Sequence, residues 1–306
     1  MTWTHGNAVC YSGYRKGQSP ITGDYPSYDE VVEDLAILDR NWTYLRIYDA
    51  GHHANLVLRA VREEGFDFKV MLGASLQAEV SNPLCPWGGV YPDEKLAANK
   101  IENEAEMCRL VALAQEYENE VFAVSIGNEA TVDWNDHMVP VEKMVRYARH
   151  VKQNVPQPIT FCENYVPWRD KIKPLAAELD FISIHTYPIW EYKSIEDALA
   201  YTKENYYGVK QHYPLKEVII TEAGWCTTSN GRGMNAGDAN EDLQAQYYAE
   251  LMAWTNKEKI LTCVFEAFDE PWKGSDDQSE PEKHWGLFFE DRTPKKVMAG
   301  KYADLL

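Results

Sequence analysis

A chain of 306 residues, 45% hydrophobic and 25% charged, has the composition of a folded globular protein and a length that α/β barrels reach as one domain. Forty-eight acidic against thirty basic side chains leave a formal charge of −18, a field that repels phosphate backbones and anionic lipid and counts against nucleic acid or membrane as partner. No window is apolar enough to span a bilayer, and the opening MTWTHGNAVCYSG has neither the basic nor the apolar part of a signal peptide.

From there the chain alternates two kinds of segment. Short runs rich in apolar, β-branched and aromatic residues recur in the order NAVCY, TYLRIYDA, FDFKVMLGA, VFAVSIGNE, PITFCENY, LDFISIHTY, EVIITEAGW and LTCVFEAFDE. They are apolar on both faces, as suits parallel strands buried between two layers. Helical patterns lie between them. YDEVVEDLAILDR carries Val31, Leu35 and Leu38 on one stripe, and VEKMVRYARHVKQ carries Val141, Met144, Val145, Ala148 and Val151. Gly65 marks a helix end, Pro140 a first turn, Ser194 and Asn240 N-caps, and Thr293 with Pro294 the start of the last helix. The stretches from Gln77 to Asp93 and from Thr227 to Gly237, rich in Pro, Gly, Asn and Ser, read as barrel-top loops. Eight strand–helix units, with no GxGxxG or GxxxxGK phosphate turn, predict an α/β fold of the closed (β/α)8 TIM barrel type, with 1–306 as a single catalytic domain. Cys10, Cys85, Cys108, Cys162, Cys226 and Cys263 show no CxxC spacing and read as buried free thiols rather than disulfides or zinc ligands.

In a barrel the carboxyl end of each strand opens onto the catalytic face. In order, these ends present Tyr11, then Arg46, Tyr48 and Asp49, then Gln77, then Asn128 and Glu129, then Glu163 and Asn164, then His185 and Tyr187, then Glu222 and Trp225, and finally Glu266, Asp269 and Glu270. Gly127 lets the run VFAVSI emerge at the top, where a carboxylic acid against low-dielectric walls can keep its proton at neutral pH. Glu129 after the fourth run and Glu222 after the seventh face each other across the mouth. Two such carboxyls are what glycosidic cleavage needs, one protonated to supply the leaving oxygen and one ionised to attack the anomeric carbon. Retention places them about 5–5.5 Å apart and inversion about 6.5–9.5 Å. One strand-end glutamate alone would equally serve as a loop-stabilising ion pair.

SIGNEA, TEAGW and FEAFDEPWK, set on eight such units, resemble glycoside hydrolase family 17, the β-1,3-glucanases and β-1,3-glucanosyltransferases. The likeness is to the bacterial and fungal branch and runs from VCYSG to the WGLF that begins at Trp285. The resemblance implies that Glu129 is the general acid/base and Glu222 the nucleophile of a retaining cleavage of laminarin-like β-1,3-glucan, probing the chain in endo fashion through a covalent glucosyl intermediate. It implies that Asn128 hydrogen-bonds the sugar 2-hydroxyl and that Tyr187 of HTYP gives its hydroxyl to Glu222. Tyr11 in VCYSG and Tyr48 with Asp49 in RIYDA match family positions around the cleaved sugar, and Glu270 with Lys273 match the acidic and basic pair after the eighth run. Lys273 serves equally to neutralise an acidic cluster. Asn164, Glu266 and Asp269 complete the expected substrate-binding set. Trp225, Trp272, Trp285, Trp134 and Trp168 lie toward the same face, where indoles can stack on glucose rings, with Trp225 and Trp285 the first candidates.

Two rival readings stand beside this one. A β-1,3-glucanosyltransferase would use the same glutamates and differ in acceptor subsites and water access, whereas a non-catalytic glucan-binding barrel would have lost one of them. His52 and His53 are adjacent and point apart with no third ligand at coordinating spacing, so they read as loop or sugar-contact residues, and no metal or cofactor is expected. The expected partner is a β-1,3-glucan poly- or oligosaccharide, met by a monomer. Such a polymer argues for secretion or the periplasm, and the leaderless start for the cytoplasm.

Overall fold

Each of the eight apolar runs forms a strand in the computed structural model, which describes residues 5–306, so the first four residues of the opening MTWTHGNAVCYSG lie outside the described residues. The strands are β1 Ala8–Cys10, β2 Tyr44–Arg46, β3 Lys69–Leu72, β4 Val121–Asn128, β5 Ile159–Asn164, β6 Ile182–His185, β7 Val218–Ala223 and β8 Thr262–Val264. Every neighbouring pair is parallel and β1 pairs with β8, so the sheet closes on itself in sequence order. Between and after the strands run α1 Tyr28–Leu38, α2 His52–Glu63, α3 Asp93–Glu116, α4 Val141–Asn154, α5 Tyr165–Trp168, α6 Lys173–Glu178, α7 Ile195–His212, α8 Glu241–Glu258 and α9 Lys296–Ala299. This is the (β/α)8 barrel that the alternating pattern predicts.

The period of two along each strand divides the core into two layers. Cys10, Tyr44, Met71, Ala123, Cys162, Ile219 and Cys263 form one buried cluster with Ala8, Phe181 and Leu261, and since every strand or its entry contributes, this cluster fills the barrel interior. Their neighbours Val9, Leu45, Val70, Val124, Phe161, Ile182, Ile220 and Val264 point the other way and pack with the helices. Helix α4 buries Met144, Tyr147, Ala148 and Val151 on that outer layer. Each such large apolar side chain stabilises by about 1.5–3 kcal/mol when fully buried. Cys10, Cys162, Cys226 and Cys263 are buried thiols within these layers and Cys85 is buried in the loop after β3, while Cys108 on α3 is exposed.

The helix punctuation follows local chemistry, with adjustments. Ser27 caps α1 reciprocally with Glu30, and the Asn240 side chain accepts from Leu243 N at the start of α8. Gly65 sits just past α2 at φ 75°, the left-handed conformation that glycine accepts readily. Pro140 precedes α4 as its N-cap rather than sitting in the first turn, and Ser194 precedes α7 without a side-chain capping bond. The last helix begins at Lys296 and not at Pro294, because Pro294 is drawn into a bridge with Phe288 and Phe289 N donates to Thr293 O. Among the described residues no helix is long and apolar enough to cross a membrane.

Candidate active site

The strand exits surround a cleft of about 1000 Å³, lined from the ends of all eight strands. Its central floor is where sheet regularity breaks. The β4–β5 register shifts between Ser125 and Asn128, the β6–β7 register between Ile184 and His185, and the β7–β8 register between Ile220 and Ala223. Such irregularities re-aim side chains at barrel rims. At the top of β4, a Cβ on Gly127 would stand 2.9 Å from Leu76 Cδ1 and 3.3 Å from both Met144 Cε and Phe161 Cε2, so any larger residue would push those side chains aside. Glu129 follows at φ 45°, a left-handed conformation that costs a side-chain-bearing residue roughly 1–3 kcal/mol.

Glu222, at the top of β7, is almost fully buried and surrounded by donors. Its Oε1 accepts from Arg46 Nη1 and from the Tyr48 hydroxyl at 3.0 Å, and its Oε2 accepts from the Tyr187 hydroxyl at 2.6 Å. Burial pushes its pKa up, but the charges of His185 and Arg46 and the Tyr187 hydrogen bond outweigh it and hold the carboxyl down at about 2. The Arg46 guanidinium also reaches Asn128 Oδ1 through Nη2, tying the top of β4 to Glu222. Burial works against its charge, yet Cys162, Tyr48 and Glu222 around it keep it firmly protonated.

His185 stands between the two glutamates. Its Nδ1 lies 2.8 Å from Glu129 Oε1 and 3.3 Å from Glu222 Oε2. Burial would strip the proton from this imidazole, but Glu222 and its hydrogen-bond partners, Glu129 among them, push the pKa up to about 10. One oxygen of each glutamate and a nitrogen of His185 fall within 4.8 Å of one another, a spacing that a metal would also accept. With Nδ1 protonated, the same spacing is accounted for by its contacts to both carboxylates.

The His185 charge has a thermodynamic consequence. Its folded pKa lies above the ordinary 6.5, so its stabilisation is fully present below pH 6.5 and is lost as pH rises toward about 10. A shift of one unit is worth about 1.4 kcal/mol. The stability advantage of the wild type over His185→Asn is therefore expected to be largest near pH 6 and to shrink steadily toward pH 10, measured as thermal midpoints of both proteins across a pH series.

Most of the expected site residues border the cleft: Tyr48, Asp49, Asn128, Asn164, Tyr187, Glu270, Lys273 and Trp285. Tyr187 packs edge-on against Trp285, with ring centroids 5.0 Å apart. Lys273 Nζ lies 2.6 Å from both Glu266 Oε2 and Glu270 Oε2, so it neutralises an acidic cluster while also facing the cleft. Four expected residues lie elsewhere. Tyr11 is buried and donates to Asp34 Oδ2 at 3.1 Å, because the strand's alternation turns it toward the helices. Trp225 turns away under α8, donating Nε1–H to Asp238 O at 2.8 Å and packing on Tyr247. Asp269 is held below the surface by Lys295 Nζ at 2.7 Å and Gly286 N at 2.9 Å. Glu266 is buried beneath Lys273 and off the cleft lining. Trp168 is likewise core, donating to Ser183 O, whereas His53, buried in α2 rather than in a loop, stacks on Tyr14 and borders the cleft.

Arg46 and His185 are the site residues without an assigned role in the sequence. Their signal was a charged or titratable side chain inside an otherwise apolar strand run, which a buried strand does not tolerate without a partner. His137 is another addition. Its Nδ1 lies 2.9 Å from Asp136 Oδ1 and its Nε2 3.0 Å from Asn128 O, an arrangement that both nitrogens satisfy as donors, and it lines the cleft. Trp87 and Trp190 join Trp134 and Trp272 in the cleft wall, with Trp87 60% exposed on the long loop after β3.

A parallel barrel carrying two opposed carboxylates at its carboxyl-end cleft defines a barrel glycoside hydrolase. The chain belongs to the family described as the BtgE/BtgC glycoside hydrolase domain, whose model matches residues 8–286. A glucan 1,3-beta-glucosidase of Arthroderma benhamiae is 24% identical over 302 residues, covering 92% of this chain and 88% of the relative. An endo-laminarinase from Formosa superposes with a TM-score of 0.83 at 25% identity, covering 98% of this chain and 87% of that one. A glycoside hydrolase family 17 beta-1,3-glucanosyltransferase from Rhizomucor miehei shares the fold with a TM-score of 0.74 at 20% identity, covering 96% of each chain.

Proposed function

We propose that this chain is one catalytic domain of glycoside hydrolase family 17 and cleaves β-1,3-glucan internally, with retention, through a covalent intermediate on Glu222. The observation that carries the reading is the carboxylate pair. Oxygens of Glu129 and Glu222 lie within 4.8 Å of one another, which supports the short separation of a retaining pair over the wider one of an inverting pair. The substrate class rests on the β-1,3-glucan names of the relatives, and a cleft of about 1000 Å³ is roomy enough for several sugar rings.

The geometry supports a division of labour. Glu222, ionised and aimed by Arg46, Tyr48 and Tyr187, attacks the anomeric carbon, forming an ester bond as the glycosidic C–O bond breaks. Glu129 Oε1 accepts from His185, so the proton delivered to the departing oxygen sits on Oε2. Once that proton has left, the charge has moved from Glu222 to Glu129, and the imidazolium between them faces the new anion without moving far. Glu129 then takes a proton from the incoming water, which releases the sugar with its original configuration. Exposed indoles at the rim, Trp87 and Trp134, favour a second reading in which an acceptor sugar replaces that water. A polymeric substrate supports a location outside the cytoplasmic membrane, and we read the protein as a monomer.

Incubation with laminari-oligosaccharides of defined length, followed by product analysis over time, tests the reading. Internal cleavage products from intact laminarin chains are expected. Products longer than the supplied oligosaccharide would show transfer, and the absence of any β-1,3 cleavage would remove the reading.

A further inference from the structure

We infer that Glu163, at the top of β5, is a positioning residue for Glu129, fixing the left-handed turn that aims the proton-donating carboxyl. The inference rests on the reading of Glu129 as general acid/base, and concerns a side chain that does not itself border the cleft. Glu129 occupies a backbone conformation that a non-glycine residue holds only when its surroundings over-determine it. Two consecutive residues of β5 supply that constraint. On the near side of the turn, Glu129 N donates to Cys162 O at 2.9 Å. On the far side, Thr131 donates twice to Glu163 Oε2, from its backbone N at 2.9 Å and from Oγ1 at 2.6 Å.

The anchor is itself anchored. Glu163 Oε1 accepts from Asn164 N at 2.7 Å, so both carboxylate oxygens are engaged and the side chain is closed from solvent. Thr131 O in turn accepts from Lys171 Nζ at 2.6 Å, and Val139 N closes the base of the loop onto Ala130 O at 2.8 Å. Three donors into one buried carboxyl favour its ionised form, while burial opposes it and pushes the pKa up to about 7. A neutral glutamine cannot reproduce this pattern, because its amide NH2 must face the donors of either Thr131 or Asn164. The turn then loses one side of its clamp, and a carboxyl displaced by even about 1 Å is a poor proton donor.

A carboxyl that only stabilised the loop would affect all substrates alike. One that aims the acid affects only substrates whose leaving group needs a proton. The test compares Glu163→Gln and Thr131→Val with wild type, each checked for fold by circular dichroism and thermal midpoint, on laminaripentaose and on dinitrophenyl β-laminaribioside. For Glu163→Gln, kcat/KM on the oligosaccharide is expected to fall roughly 10- to 100-fold while that on the aryl substrate changes little. Thr131→Val, which removes one of the three bonds and keeps the side-chain shape, is expected to show the same selectivity with a smaller fall. It carries the test if the glutamine variant does not fold. Equal losses on both substrates, or no loss on either, overturn the positioning role and leave the glucanase reading standing. Wild-type protein inert toward both substrates overturns the glucanase reading and the positioning role with it.

Discussion

Glu222→Ala is expected to lower kcat on laminarin by on the order of 10⁴- to 10⁶-fold while the protein remains folded and binds the polymer. The residue is ringed by donors on both oxygens, and those donors together with His185 hold it ionised far below neutral pH. Without it the covalent intermediate of the proposed double displacement cannot form. The product of chemical rescue makes the assignment specific. Azide entering the space left by the carboxylate attacks from the same face as Glu222 and yields an α-glycosyl azide from a dinitrophenyl β-laminarioside, read by NMR of the purified product. Rescue that yields the β-azide would place the nucleophile elsewhere.

Removal of the other glutamate is expected to give a different pattern. Glu129→Ala should lower kcat/KM on laminari-oligosaccharides by about 10²- to 10⁴-fold, the usual contribution of a positioned general acid. Cleavage of a dinitrophenyl glycoside should start almost normally, because that leaving group departs without a proton, and then stall at the covalent intermediate for want of a base. A burst followed by a slow steady state is the expected progress curve, and added azide should speed the slow phase and give the β-azide. The same selectivity, at lower amplitude, is what a misaimed Glu129 in the Glu163→Gln protein should show. Uniform loss on both substrate types in Glu129→Ala would contradict its role as the proton donor.

The fold and the meeting of the two glutamates were largely legible in the chain because the informative signals are local. An eight-fold alternation of doubly apolar runs and amphipathic segments has few packings other than a closed parallel barrel, and once the barrel is accepted the polar residue ending each run falls on one rim. Glu129 and Glu222, 93 positions apart, meet for that reason alone. What sequence does not encode locally is side-chain direction after the strand ends. Trp225 follows Glu222 by three residues and was expected to stack on sugar, but the chain leaving β7 turns its indole beneath α8. Asp269 and Glu266 fail similarly, each captured by a lysine from a later segment, Lys295 and Lys273. The converse omission, Arg46 and His185, arises because a strand-end cation acquires meaning only when its partners are known, and those partners come from the ends of two other strands, β4 and β7.

The cations also explain how two carboxyls so close together can take opposite roles. Left to themselves, like charges at this separation repel, and one would be forced to hold a proton without any preference for which. Arg46, Tyr48 and Tyr187 all bond Glu222 and none bonds Glu129, so the asymmetry is built by β2 and by the segment after β6. His185 is shared, and its nearer contact is to Glu129. The preference for an ionised Glu222 is thus a property of the surrounding donors and not of the glutamates themselves.

The double displacement makes one stereochemical demand that no other arrangement of these groups shares. Laminari-oligosaccharide cleavage followed by proton NMR from the first minutes, before mutarotation, should show the new reducing end appearing as the β-anomer, with the α-anomer growing in only later. If the α-anomer appears first, water attacks directly and the covalent intermediate on Glu222 does not exist.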